Sequence, residues 1–235
     1  MPASLTPKPI VSVGNIGQLA ADLLIASLRL DRQAMLDPSC LIPVAGGREE
    51  GEGVTTPLEV FGKPSSGVVV LQQRSPALSA QKTQFVEQLT SFIRSAQFSR
   101  VLVLTGVDVV AREDRHMSSP IYHFAPPSSG SPGPFLDRLT LTTPSYLRTP
   151  SEQLPPVPGS GLTRRVLGSL AEAALPGLAV GVLLQFVMEG DNRGDARFLA
   201  QVAAKVVDVP VPEWTEPPSW RVGLFGTPQE QTLYG

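Results

Sequence analysis

Apolar and polar positions along the chain fall into strands and helices that take turns. Ile10, Val11 and Val13 form a short β-forming run, and the chain then turns at Gly14, Asn15 and Gly17. Leu19, Leu23, Leu24 and Leu28 follow at spacings of three and four, which predicts a helix with one apolar side. Ile10 to Leu28 is therefore a strand, a glycine turn and a helix, the opening of many α/β domains. Leu58 to Phe61 and Val68 to Gln73 read as a hairpin around Gly62-Lys63-Pro64. Ser79 to Phe98 predicts the clearest helix: Phe85, Val86, Leu89, Phe92, Ile93 and Ala96 share a stripe, with Lys82, Glu87 and Arg94 off it. The all-apolar run Val101 to Thr105 fits a central parallel strand covered on both faces, reached by a right-handed crossover.

The second half repeats the pattern. Ile121 to Phe124 reads as a strand, and Leu162 to Leu175 as a helix with Leu162, Val166, Leu167 and Leu170 facing inward. Leu178 to Met188 is a second central strand. A helix from about Arg193 to Val207 carries Phe198, Leu199, Val202, Ala203 and Val206 on its stripe, and Asn192 with Asp195 has the form of an N-cap with an acidic third residue. Proline modifies the edges of this scheme. Pro7 and Pro9 shorten the first strand, and Pro38 and Pro43 break Met35-Leu36 and Leu41 to Val44 into edge-like pieces. Gly46 to Gly53 is an acidic, glycine-rich loop. Ala125 to Gly161 contains SSGSPGP and PPVPGSG and reads as an excursion rather than a packed element, with Phe135, Leu139, Leu141 and Tyr146 available to fasten it. The fold class is α/β: a mostly parallel central sheet flanked by helices, a three-layer sandwich with Pro/Gly-rich loop insertions.

Composition narrows the setting. The chain has 235 residues and 42% hydrophobic content, enough to bury a full core in one large domain. A net charge of -2 leaves no nucleic-acid footprint. Cys40 is the single cysteine, so no internal disulfide forms, as in a reducing compartment. The N-terminal stretch lacks the apolar core of a signal peptide, and Leu178 to Met188 is too short to span a bilayer, so a soluble intracellular protein without membrane association is expected. Charged residues at 17% and 24 prolines suit a surface covered by partners.

The chemistry-bearing residues are sparse. Gly14, Gly17 and Ala20 give G-x-x-G-x-x-A, not the dinucleotide fingerprint G-x-G-x-x-G, although Asp37 lies where a ribose-binding acid would. Asp108, Arg112, Glu113, Asp114, Arg115 and His116 follow a central strand, where α/β ligand sites occur, but a solvated connection is the favoured explanation for them, since loops collect charge. Glu189, Asp191 and Asp195 lack the ligand series of a calcium loop. Two histidines and one cysteine build no zinc cluster, no nucleophile elbow surrounds any serine, and His123 reads as packed. No catalytic, cofactor-binding or metal-ligating residue is assigned. Arg164 and Arg165 sit in a first helical turn, where the dipole disfavours cations; they are either an exposed pair or a contact for acidic groups on a partner.

VSVGNIGQLAADLL resembles the N-terminal signature of the proteasome assembly chaperone 2 family. LLQFVMEGDNRGDA is similar to that family's strand, E-G-D-N turn and helix start, and Pro218-Ser219-Trp220-Arg221 with Leu224-Phe225-Gly226 to its C-terminal segment. The matches fall in order along the chain, while about Ala111 to Gly161 departs most. The resemblance implies a non-enzymatic chaperone of 20S proteasome assembly without a cofactor. Such chains form an obligate heterodimer with proteasome assembly chaperone 1 and dock on the α ring beside its fifth to seventh subunits. They promote ring formation and block off-pathway ring dimerisation, in cytoplasm and nucleus. Residues 1–226 would form the α/β domain, with 125–161 as its loop-rich excursion, and 227–235 a flexible tail. That tail ends Leu233-Tyr234-Gly235, the hydrophobic–tyrosine–any pattern that inserts between α subunits. The alternative is a nucleotide-binding, hydrolase-like or phosphorylase-like enzyme using Gly14 to Gly17.

Overall fold

In a computed structural model, which describes residues 6–9, 11–48, 52–64, 66–126, 133–146 and 154–222, the elements follow the expected alternation. β1 (Thr6–Pro9) and α1 (Ile16–Leu28) come first, then β2 (Asp31–Met35), a small pair β3 (Gly46–Gly47) and β4 (Val54–Thr55), and the hairpin β5 (Leu58–Gly62) and β6 (Val69–Gln73). α2 (Lys82–Ser95), β7 (Arg100–Asp108), β8 (Ile121–Phe124), α3 (Pro134–Thr142), α4 (Gly161–Glu172), β9 (Ala179–Val187) and α5 (Arg193–Val207) complete the chain.

β7 and β9 pair in parallel along their whole length, from Arg100↔Ala179 to Asp108↔Val187. β1 adds in parallel to the outside of β7 and β8 antiparallel to the outside of β9, giving the order β1-β7-β9-β8. Alternate residues of the two central strands feed opposite cores. Val101, Val103, Val182 and Leu184 face α2 and α4, while Leu102, Leu104 and Leu183 face α1 and α5. Both faces are covered, which is why these strands read as unbroken apolar runs. Each large side chain buried there contributes about 1.5–3 kcal/mol before entropy costs. A second, antiparallel sheet β2-β5-β6 stands beside the first, with β6 next to β1.

Several expectations are corrected. The first strand lies on the prolines themselves, at Thr6–Pro9, and Val11 to Val13 is not strand; Ile10 lies outside the described residues, Val13–Asn15 is a 3₁₀ turn, and Gly17 lies inside α1. Proline is tolerated because β1 is an edge strand. Beyond the strand, Ser12 Oγ accepts from the Gly106 N–H at 2.8 Å. The 125–161 stretch is not merely an excursion. Pro134 starts α3, where its missing N–H costs nothing, and Phe135 and Leu139 are buried against β9. α3 comes that close because position 181 is glycine: a Cβ there would lie 2.9 Å from Leu139 Cδ2. Leu141, by contrast, is exposed. On α5 the stripe holds for Leu199, Val202, Ala203 and Val206, but Phe198 points outward.

Candidate functional site

In parallel α/β sheets the carboxyl ends of the strands are where ligands bind. At this end of β7 and β9 the chain brings together the Gly14 turn, the Glu189 to Asn192 turn and the loop after β7. Gly14 and Asn15 both adopt left-handed backbone, φ 64° and 51°. Gly14 is required there twice over, since a Cβ would also sit 2.5 Å from Asn192 Nδ2. The Gly14 N–H, which a phosphate would seek, donates instead to Glu189 Oε1 at 3.2 Å. Asn192 is buried and its Nδ2 donates to the carbonyls of Gly14 (3.1 Å) and Met188 (2.9 Å). It is therefore not the side-chain N-cap that its spacing to Asp195 suggests. Asp195 accepts from Gln185 Nε2 at 3.0 Å, tying α5 to β9.

Beneath the turn lies a closed hydroxyl chain. Ser160 Oγ donates to the Gly106 carbonyl at 2.7 Å and accepts from Thr105 Oγ1 at 3.0 Å, and Thr163 Oγ1 lies 3.1 Å from Thr105 Oγ1. All are buried. The group fastens α4 to β7. Room at Gly106 is taken from the other side, where a Cβ would strike the Val13 carbonyl and the Ile16 side chain. The crevice that a nucleotide would use is filled by the protein's own groups. Asp37 is exposed and its oxygens accept from Ser39 N, Ser39 Oγ and Gln88 Nε2, which hold its carboxyl below the usual range. It serves a local turn rather than a ribose.

The loop after β7 is more ordered than its charge suggests. His116 is buried, stacked on Tyr146 with centroids 4.8 Å apart and flanked by Tyr122 and Phe186. Neither ring nitrogen has a hydrogen-bond partner among the described residues. Burial, with Arg115 nearby, pushes its pKa down. Arg112 closes the loop: it donates to the carbonyls of His116 (2.8 Å) and Ser119 (3.0 Å) and lies over the Phe186 ring. His123 packs as expected, with Nδ1 2.8 Å from the Thr143 carbonyl, and burial lowers its pKa too.

A second polar centre, absent from the sequence reading, lies between α1 and the β5–β6 hairpin. Glu59 is fully buried, with Arg32 Nη1 at 2.8 Å and Arg74 Nε at 3.4 Å; Arg74 also pairs with Asp22 at 3.2 Å. These side chains line a cavity of about 150 Å³ together with Arg29 and Arg48. The charges come from four separate elements, so no local spacing announces them. An acid alternating with Leu58 and Val60 in a strand was the available signal. Arg164 and Arg165 are both exposed and make no ion pair with another described residue. Leu233, Tyr234 and Gly235 lie outside the described residues. Among the described residues no group of three or more His, Cys, Asp or Glu is placed to hold a metal ion, and no helix is long and apolar enough to cross a membrane.

With this geometry in hand, comparison with known proteins is specific. The profile of the PAC2 family matches residues 8–213. Proteasome assembly chaperone 2 of Homo sapiens is 31% identical over 249 residues, spanning 96% of this chain and 93% of its own length. The protein of that name from Xenopus tropicalis is 30% identical over 240 residues, spanning 93% and 90%. Among solved structures, Pyrococcus furiosus PbaA, an archaeal homolog of proteasome-assembly chaperone, matches with a TM-score of 0.66 at 18% identity, over 94% of this chain and 87% of that one. Pyrococcus furiosus PbaB, an archaeal proteasome activator, matches at 0.58 and 13%, over 89% and 85%. The structural likenesses carry the fold, and the family profile with the sequence relatives carries the kinship: the chain belongs to the PAC2 family.

Proposed function

We propose that this chain is a non-enzymatic chaperone of 20S proteasome assembly that works by occupying surfaces. In this reading it pairs with proteasome assembly chaperone 1. The pair covers the α ring beside its fifth to seventh subunits, promoting ring formation and preventing ring–ring dimerisation, in cytoplasm and nucleus. Leu233, Tyr234 and Gly235 enter a crevice between α subunits: the carboxylate meets a lysine, Leu233 an apolar slot, and Tyr234 an aromatic-sized groove. A tail this short binds weakly alone, but a docked body holds it at an effective concentration of order mM. Arg164 and Arg165, exposed on α4, are offered to acidic groups of a partner.

The observation that carries this reading is the relationship to proteins named proteasome assembly chaperone 2, near 30% identity across nearly the whole chain. The carboxyl end of the sheet agrees with it, because Glu189 takes the Gly14 N–H, a backbone donor of the turn that would face a phosphate. The test is co-expression with proteasome assembly chaperone 1 and α subunits, with and without Leu233 to Gly235. The expected result is co-purification with both, the α subunits being lost or weakened when the tail is removed. Failure of the full chain to co-purify with either overturns the reading.

A further inference from the structure

Four arginines and three carboxylates line the cavity that α1, β2 and β5 enclose with the C-terminal segment. Most of this charge is matched internally. Glu59 takes Arg32 on Oε1 and Arg74 on Oε2. Asp22 takes Arg74 at 3.2 Å and the Gln72 amide at 2.7 Å, and Arg32 Nη1 also donates to the Val54 carbonyl. Arg29, Arg48 and Asp31 are left over. None of the three has an ion-pair partner among the described residues. The Arg29 guanidinium makes no hydrogen bond with a described residue, and Arg48 reaches only the Glu52 carbonyl, at 3.2 Å.

The lining therefore carries one positive charge in excess. A monoanion balances it, whereas a phosphate dianion would leave the cavity negative. Glu52 and Glu216 are exposed and lie outside the lining, Glu216 at 4.0 Å from Arg197. Water and salt weaken exposed charges, while charges that face an enclosed cleft keep more of their strength. Size narrows the occupant further. The cavity's volume of about 150 Å³ is that of roughly five waters in the liquid. Sites for whole ligands run to about 300–1,000 Å³, so this one has room for a single group. Its walls suit a short apolar stem beneath that group: Ile25 and Phe61 line it from α1 and β5, and Pro217 and Pro218 from the C-terminal segment. That segment is held in place on α1, where the Thr215 N–H donates to Ser27 Oγ at 2.9 Å. A wall fixed in advance loses little entropy when the cavity fills.

We infer that this cavity binds one carboxylate on a short apolar stem, with Arg29 and Arg48 on its oxygens and Ile25 and Phe61 against the stem. The carboxylate is either a glutamate side chain of a protein partner or a small free acid. The inference goes beyond the function proposed above and stands without it. The experiment titrates the full chain, with 13C-labelled isoleucine methyl groups, against propionate, which has the carbons and oxygens of a glutamate side chain. The Ile25 methyl resonance is expected to shift saturably, with a dissociation constant of about 1–10 mM. Propionamide and inorganic phosphate should bind at least about tenfold more weakly, and so should propionate to Arg29→Gln/Arg48→Gln. Arg48→Gln alone should show a smaller loss, and Arg94→Gln, an exposed arginine of α2, none. Melting temperatures should be unchanged, because neither Arg29 nor Arg48 has an ion pair to lose. Co-purification with proteasome assembly chaperone 1 and α subunits separates the two sources. A partner's glutamate makes Arg29→Gln/Arg48→Gln lose that partner, and a free acid leaves co-purification as in wild type. No saturable shift up to about 50 mM propionate overturns the inference. An equal response to propionamide or phosphate, or an undiminished response in the double variant, does so too. A response that appears only in Glu49→Gln/Glu50→Gln overturns it as well, since the chain's own acids then fill the cavity. Propionate binding by a chain that captures neither protein partner would uphold the inference and sink the functional reading alone.

Discussion

Gly14 and Asn192, at opposite ends of the sequence, occupy one another's space: the Asn192 amide donates to the Gly14 carbonyl at 3.1 Å, in the volume a Cβ at position 14 would need. Gly14→Ala therefore meets two penalties. Left-handed backbone costs a residue with a Cβ about 1–2 kcal/mol. The displaced amide then leaves buried carbonyls unpaired, at about 1–3 kcal/mol. A loss of roughly 2–5 kcal/mol in urea unfolding is expected. Asn192→Ala should cost about as much alone, and the double variant less than the sum, since each substitution removes what the other one clashes with or satisfies. Strict additivity in this cycle would deny the contact.

The Glu189 carboxylate on the Gly14 N–H leads to a second expectation, about ligands. A nucleotide bound with a dissociation constant of about 10 μM would, at 1 mM, stabilise the fold by about 2.7 kcal/mol. In a domain of this size that is a rise in melting temperature of roughly 5–10 °C. No shift is expected with ATP, GTP, NAD or inorganic phosphate at that concentration. A shift of several degrees that grows in Glu189→Ala, where the Gly14 N–H is released, would return the turn to the enzymes.

Burial lowers the pKa of both His116 and His123. Below about 6.5 the unfolded chain then takes up protons that the folded chain refuses. Their contribution is complete above the unfolded value and is lost as pH falls from there toward the depressed folded value. Each histidine adds a slope of at most about 1.4 kcal/mol per pH unit in that window. His116→Phe keeps the stack on Tyr146 and should flatten the profile below about pH 6.5, leaving the histidine slope to His123 alone. Identical profiles for wild type and His116→Phe would show that His116 titrates as it does in the unfolded chain.

What the sequence revealed and what it hid divide along range. β8, α5 and the β5–β6 hairpin follow their patterns to within a residue or so, because strand alternation and helical stripes are local consequences of burial. β1 was misplaced because its prolines argue against a strand, and only its place at the edge of the four-stranded sheet, beside β7, explains them. α3 was hidden among prolines, although Pro134 was the first-turn signal for it. Phe198 fits the α5 stripe by spacing, and nothing local says that no helix covers that flank. Asn192 stands at the N-cap of α5, as its spacing to Asp195 suggests, but its side chain serves a turn from the start of the chain. The Glu59 cluster was illegible for the same reason: its members meet only once the hairpin and α1 are folded together.

That cluster gives the last expectation. Glu59 is fully buried, while Arg32 and Arg74 keep 20% and 24% of their side-chain surface in solvent. Removing the acid strands two guanidiniums beside apolar Phe61 and Ile25, but water can reach each of them. The cost of Glu59→Gln should therefore be roughly 2–3 kcal/mol, under the about 3–5 of a fully buried pair. Arg32→Met and Arg74→Met each leave Glu59 one partner and should cost less than Glu59→Gln. If the penalty comes from uncompensated charge rather than lost packing, Glu59→Leu/Arg32→Met/Arg74→Met should recover most of it, because no buried ion is then left alone. Asp22 loses Arg74 in that triple variant but keeps the Gln72 amide at 2.7 Å and its own partial exposure. Urea unfolding of the four variants decides between the two causes: a triple variant less stable than Glu59→Gln would place the stabilisation in the packing of these side chains, not in their charges.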